Sequence, residues 1–262
     1  MKSSTGASSE PAAIGPGSQT LMRGLDVIEA VAEGVQSLND LAQRLDLTRS
    51  TAHRLASALV DRGYLAYTPR MGYRLGAKLL ELGHVAQGQT DLIQVARPHI
   101  ETLAASTEDT VHLGVLDGDR ALYLDKIPGR RRVSINSRVG DRHRLTSTGL
   151  GKALLLDHQA TDWKAYLDAD LTDGAPPVDG AQWLARMAGY AQAGRAYDLE
   201  ENEDQIRCVA APIRDAADRI VGAISVSSAG QYMDDARMNA LSAEVRATAQ
   251  AISRELGWEG VG

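Results

Sequence analysis

The chain has 262 residues, 44% of them hydrophobic and 24% charged, with a formal net charge of −6. This excludes a disordered or fibrous chain and leaves room for a small domain and a medium one; with no run of about 18 apolar residues, no membrane span is expected. The single cysteine, Cys208, excludes an intramolecular disulfide and a multi-cysteine zinc site and suits a reducing cytoplasm, the expected location.

Residues 1–18, rich in Ser, Gly, Pro and Ala, lack the apolar stretch of a secretory signal and read as a flexible tail. Leu21, Leu25, Val27, Ile28 and Val31 then recur at helical spacing, with Gly34 as the stop. Ser37 caps a second helix, with Asp40 standing in for the glutamate of a capping box and Leu38, Leu41, Ala42 and Leu45 as its stripe. Asp46-Leu47 breaks it. Thr48 caps a third helix whose stripe is Ala52, Leu55, Leu59 and Val60, and whose opposite face carries Arg49, Ser50, His53, Arg54 and Ser57.

Two short helices with a tight joint and an acid-free polar face suit the major groove of duplex DNA. There the first turn of a recognition helix meets base edges, while hydroxyls and arginines hold phosphates. The acidic average does not argue against this, because phosphate contact depends on local charge. From Thr48 to Arg74 five arginines (49, 54, 62, 70 and 74) face one acid, Asp61, which leaves +4. After Gly63, the segments around Tyr64–Tyr67 and Tyr73–Leu75 read as two strands about Thr68-Pro69-Arg70-Met71-Gly72, a hairpin wing with Arg70 near its tip. The candidate DNA contacts are Ser37, Thr48, Arg49, Ser50, Thr51, His53, Arg54 and Arg70. Sequence leaves open whether Arg49 and Arg54 read guanine or grip phosphate. Leu75–Gln89 is helical again, a link between domains that can pair with its own copy.

The runs Leu21–Ala30, Leu41–Leu45, Ser50–Leu55 and Tyr73–Gly76 resemble the IclR family of transcription regulators. So do Gly140, the run Thr148–Leu155, and Gly194, Asp198, Glu201, Cys208, Val209, Ala210, Ile213 and Asp215 at the family's spacing; Arg214 departs from the aromatic or His usual there. The resemblance spans about Thr20 to Leu256. It implies an α+β chain: an N-terminal winged helix-turn-helix (19–75), a linker helix (76–90), and a GAF-like effector-binding domain (91–262) with a largely antiparallel sheet. It also implies dimers, or dimers of dimers, on palindromic double-stranded operator DNA. A single helix reads few base pairs, and pairing two multiplies affinity.

Without the resemblance, 91–262 still reads as α+β. Ile93, Ala96, Ile100, Leu103 and Ala104 mark one amphipathic helix, and Met238, Leu241, Val245 and Ile252 another. Between them Val111–Leu116, Ala121–Ile127, Val133–Ser137, Ile206–Ile213 and Ile220–Ser227 are β-rich. By resemblance, the effector cavity maps onto Gly149, Leu150, Asp198, Ile206, Cys208, Ser225 and Ser227, with His143 on a neighbouring loop. Gly149 opens a helix whose free N–H groups and dipole favour a carboxylate, and Ser225 and Ser227, two apart on a strand, can donate to it. Asp198 would accept from a hydroxyl or an aldehyde hydrate.

Gly149-Leu150-Gly151-Lys152 is superficially a phosphate loop, but Ala153 follows the lysine and Thr146 stands where glycine is required. No Gly-x-Ser-x-Gly elbow or paired-histidine metal spacing occurs, so neither an enzyme nor a cofactor or metal is expected. The expectation is a repressor of a catabolic operon, released or altered by a small organic acid. The polar loop Asn136–Arg144 and the absence of Phe favour a sugar acid or keto acid. Two alternatives stand beside it: an aromatic-acid-responsive activator of the same family, and a ligand-binding or catalytic α+β protein whose helical N-terminus only dimerises.

Overall fold

A computed structural model describes residues 16–89, 91–132 and 135–260, which fall into two compact units divided after Gln89. Most of the expected tail, 1–15, lies outside the described residues. The first helix begins earlier than the apolar spacing indicates, at Pro16, a residue whose fixed φ and missing N–H are tolerated at a helix start.

The first unit runs α1 (Pro16–Ala32), α2 (Leu38–Arg44), α3 (Arg49–Asp61), β1 (Leu65–Thr68), β2 (Gly72–Leu75) and α4 (Ala77–Gln89). Its core is Val27, Ala30, Val31, Leu41, Leu55, Ala56, Leu65 and Tyr73. Two expected positions of helix one differ: Leu21 and Leu25 are exposed, and Val27, Ala30 and Val31 face the core instead. The caps form where the sequence puts them, Ser37 accepting from the Asp40 N–H and Thr48 from the Thr51 N–H. Asp40 completes no box with the backbone; its carboxylate accepts from the Ser37 hydroxyl at 2.6 Å.

In the hairpin Leu65 pairs with Leu75 and Thr68 with Gly72. Its turn closes through Met71 N–H to Thr68 C=O at 3.1 Å, with Pro69 and Arg70 as central residues. Arg70 holds the left-handed region (φ +72°), usually left to glycine or asparagine. The hairpin is tied to the α1–α2 joint: Tyr73 N–H donates to Gln36 C=O at 2.8 Å. Gly72, at φ +87°, packs so closely that a Cβ there would overlap the same carbonyl.

The second unit comprises α5 (Leu92–Thr107), β3 (Thr110–Asp117), β4 (Arg120–Ile127), β5 (Arg142–Arg144), α6 (Gly149–Leu154), α7 (Ala160–Thr172), α8 (Gly180–Ala193), β6 (Ala196–Leu199), β7 (Ile206–Arg214), β8 (Ile220–Ala229) and α9 (Asp235–Glu255). The sheet is antiparallel throughout, in the order β5-β4-β3-β8-β7-β6, so its two shortest strands form the edges. One face carries Val111, Leu113, Val209, Ala211, Ile213, Ile224 and Val226 against α5 and α9. The other carries Ala121, Tyr123, Cys208, Ala210 and Ala223 against α6, α7 and α8. Each large apolar side chain fully buried between these layers contributes about 1.5–3 kcal/mol.

The strand expected at Val133–Ser137 does not form over its described part. Residues 135–137 are irregular, and the carbonyls of Ile135 and Ser137 accept from Lys126 Nζ, both at 2.7 Å, instead of entering a ladder. Positions 133 and 134 lie outside the described residues.

Candidate nucleic-acid interface and ligand site

On α3 the buried positions Ala52, Leu55 and Ala56 lie on one side, which turns Arg49, His53 and Ser57 outward together on the other. These three, with Ser37, Tyr67 and Arg70, line a concave groove of about 1030 Å³ between α3, the α1–α2 joint and the hairpin. The groove is therefore bounded by the recognition-type helix on one side and the wing on the other. Thr48, Ser50, Thr51 and Arg54 do not line it. Thr48 is spent on its cap and on hydrogen bonds with the Ser50 and Thr51 hydroxyls at 3.1 and 2.8 Å. Arg54 is exposed on the adjacent strip of the helix.

Among the described residues Arg49, Arg54, Arg62, Arg70 and Arg74 form no ion pair, whereas elsewhere arginines are repeatedly matched, as Arg131 and Arg237 are to Asp109. Arg49 and Arg70 of these line the groove, and unmatched guanidinium groups there make a cationic surface suited to a polyanion, because each can exchange solvent for a phosphate without losing an internal partner.

In the second unit strand register brings the candidate ligand residues together. Asp198, Cys208, Ser227 and Thr110 are successive partners across β6, β7, β8 and β3; Ser225 and His112 are partners in the next row on the same face. Helix α6 covers this face, and the backbone of Gly149 comes so near that a Cβ would fall 2.7 Å from Cys208 Sγ. Leu150 is buried beside it. Ile206, two residues before Cys208, lies at the open end of the face and lines a groove of about 500 Å³ with Arg132, Glu200 and Asp204. His143 reaches the site through Tyr123, their ring centroids 4.5 Å apart. The eight expected ligand residues thus share one region.

Two local contacts limit how this face could meet a ligand. Helix α6 has only six residues, too few peptide units for a substantial dipole at Gly149, and Thr148 already takes the Gly151 N–H at 3.0 Å. Asp198, expected to accept from a ligand, also caps its own turn, accepting from the Glu201 N–H at 2.8 Å and the Asn202 N–H at 3.4 Å.

Burial sets the electrostatics. It raises the Asp198 carboxyl to about 6 against the pull of Lys152, and the Cys208 thiol to about 12, which leaves the sulfur a neutral, unreactive wall. Lys152 is itself sealed in, its ammonium held by Tyr197 C=O and the Glu201 carboxylate, so it serves the fold and not a ligand anion. Sequence reasoning missed His112. It is fully buried, its Nε2 shares a 2.7 Å hydrogen bond with Ser137 Oγ, and burial lowers it to about 3, so it is neutral. The available signal was alternation: Thr110, His112 and Gly114 fall opposite Val111 and Leu113.

Among the described residues no cluster of His, Cys, Asp or Glu is placed to hold a metal, and no helix is long and apolar enough to cross a membrane.

Two family models match the sequence: the IclR helix-turn-helix domain over residues 20–69, and the bacterial transcriptional regulator IclR C-terminal domain over residues 84–254. The chain is 33% identical over 246 residues to the HTH-type transcriptional regulator XynR of Escherichia coli (strain K12), covering 92% of this chain and 98% of that protein. It is also 33% identical over 249 residues to the HTH-type transcriptional regulator BhcR of Paracoccus denitrificans (strain Pd 1222), covering 90% and 87%. Among solved structures, Pseudomonas aeruginosa HmgR shares the fold with a TM-score of 0.77 at 21% identity, covering 93% of this chain and 100% of that one. Both families and both relatives are transcriptional regulators, not enzymes.

Proposed function

Since the chain belongs to the IclR family of bacterial transcriptional regulators, we propose that it acts as a repressor that grips operator DNA through α3 and the wing and yields to a small organic acid. The observation that carries this is the groove lined by Arg49, His53 and Arg70, whose arginines have no internal partner among the described residues. Arg49 and His53, on the first turns of α3, face base edges. Arg70, at the wing tip, and Arg54, on the helix flank, hold phosphates, while Ser37, Thr48, Ser50 and Thr51 supply hydroxyls at the margins. A protein seated in a promoter's major groove blocks polymerase without further contacts, which favours repression as its output.

The effector is a hydrophilic acid, such as a sugar acid or keto acid. Supporting it are the polar positions of β3, β6 and β8 on this face, Thr110, His112, Asp198, Ser225 and Ser227, and a phenylalanine-free chain. Its carboxylate meets the Ser227 hydroxyl, beside Asp198 and Cys208. The working form is a homo-oligomer: α1 exposes Leu21, Met22 and Leu25, and α4 exposes Leu82 and Val85 one turn apart, apolar stripes that fit a second copy.

Fluorescence anisotropy with duplex DNA from the gene's own upstream region tests the interface. Sequence-specific binding should weaken steeply with salt, and Arg54→Ala should lower the slope of log K against log salt by about one unit, the signature of one lost phosphate contact. Binding indifferent to sequence, or unchanged in the Arg49→Ala, Arg54→Ala double variant, refutes the proposal.

A further inference from the structure

Buried polar atoms without a partner are rare in native proteins, and each asks for an explanation. Four such side-chain atoms occur among the described residues: His112 Nδ1, His143 Nε2, Ser225 Oγ and Arg144 Nε. Three of the four sit in one place. His112 and Ser225 are register partners on adjacent strands and are each only 1% exposed. The Tyr123 ring lies between the two imidazoles, 4.8 Å from His112 and 4.5 Å from His143, centroid to centroid. Ser225 Oγ lies beside the weakly hydrogen-bonding Cys208 thiol and has no oxygen or nitrogen partner. His143 Nε2 faces Asp141 at 4.0 Å, too far for a hydrogen bond.

The chemistry of these atoms narrows what they can hold. Buried without a facing carboxylate, His112 is uncharged and gives no ion pair to an acid group. Its tautomer follows from Ser137: if that hydroxyl donates to Nε2, Nδ1 carries the proton; if it accepts, Nδ1 is a bare acceptor. A hydroxyl satisfies Nδ1 in either state, because it can both donate and accept, and it does the same for Ser225. A carboxylate satisfies one state only, and a hydrocarbon edge leaves both atoms stranded at full desolvation cost.

Resting on the effector reading above, we infer that His112 and Ser225, with His143 across Tyr123, form a hydrogen-bonding subsite that selects effectors carrying a hydroxyl group apart from the carboxylate. His112 is then a specificity determinant of this chain. Discrimination at such a site is strong because an analogue lacking the hydroxyl leaves buried partners unpaired.

The test uses hydroxylated and deoxy pairs of aliphatic acids as probes: glycolate with acetate, glycerate with propionate, gluconate with hexanoate. Affinities are read by tryptophan fluorescence and thermal shift on the full chain. In the wild type the hydroxylated member of at least one pair binds about tenfold or more tightly, as expected for one hydrogen bond to a buried group. Ser225→Ala removes a hydroxyl with no oxygen or nitrogen partner in the free protein, so it folds normally and loses about tenfold of that preference. His112→Leu loses at least as much. Equal binding within every pair, or a preference intact in both variants, overturns the subsite and marks these atoms as seats for structural water. No binding by any acid overturns the effector reading itself, which separates the two failures.

Discussion

Substituting Gly72 by alanine tests whether the wing is held by the contact described for it. The residue sits at φ +87°, where an L side chain costs about 1–2 kcal/mol. The new Cβ overlaps the Gln36 carbonyl, and that carbonyl cannot retreat without losing the 2.8 Å bond from Tyr73 N–H, worth about 1 kcal/mol net. The two effects together destabilise the first unit by about 2–3 kcal/mol. Urea unfolding reads this with an internal control. All three tryptophans, Trp163, Trp183 and Trp258, lie in the second unit, so their fluorescence reports that unit alone while far-UV circular dichroism reports both. With a slope of about 1–3 kcal/mol per molar urea, the helical signal of the first unit melts about 1 M or more earlier, and the tryptophan transition stays in place. Operator affinity falls too, although Gly72 has no side chain to contact DNA. A circular dichroism curve superimposable on wild type refutes the wing-anchoring reasoning, and a tryptophan transition that moves in step refutes the independence of the two cores.

Further outcomes follow from the second unit and from the helices of the first. Asp198 titrates near 3.8 unfolded and about 6 folded, so its burial penalises the native state increasingly as pH rises through that window. Asp198→Asn therefore stabilises the protein by about 2–3 kcal/mol above pH 7, a gain that shrinks toward pH 4; urea titrations showing the gain growing on acidification contradict this. His112 has the opposite sign: about 3 folded against 6.5 unfolded, it costs stability as pH falls below 6.5, so His112→Leu flattens the acid limb of the stability curve. Gly149→Ala drives a methyl onto the Cys208 sulfur and lowers both melting temperature and effector affinity, measured by thermal shift with and without acid. Leu82→Glu on α4, at a position 41% exposed in the single chain, leaves the fold intact and shifts sedimentation toward the monomer; an unchanged sedimentation profile removes this face of α4 from the oligomer interface.

Local chemistry made the first unit readable. Ser37 and Thr48 announce helices because a cap is a contact between residues three apart, and Pro69 with Gly72 announces a turn for the same reason. Burial was harder to read. Leu21 and Leu25 have the spacing of a core stripe yet face outward, since apolar periodicity cannot distinguish a core from a surface left for a partner. In the second unit α7 gives little warning, because buried Asp170, bound by Arg120 and Thr146, interrupts its apolar face. Helix α8 does carry a signal: Asp179 caps it, Trp183, Met187 and Tyr190 follow at i, i+4 and i+7, and Gly194 ends it. Resemblance named the candidate ligand residues as a set, but not which of their polar atoms are already engaged. That Asp198 caps its own turn is a local contact with backbone three and four residues on, whereas the meeting of His112 Nδ1 with Ser225 is a consequence of strand register, which joins residues more than a hundred positions apart.

The central sheet ends at both sides in its shortest strands, β5 with three residues and β6 with four. A foreign strand seeking to prolong the ladder would meet few free backbone groups, and along β5 it would meet Arg142 and Arg144, already engaged by Asp117 and the Asp173 carbonyl. Ribbon-like growth without limit is thereby discouraged. In the proposed homo-oligomer self-association would fall to helices, whose contacts saturate, and saturation gives a complex of finite size that can match two half-sites on one stretch of duplex.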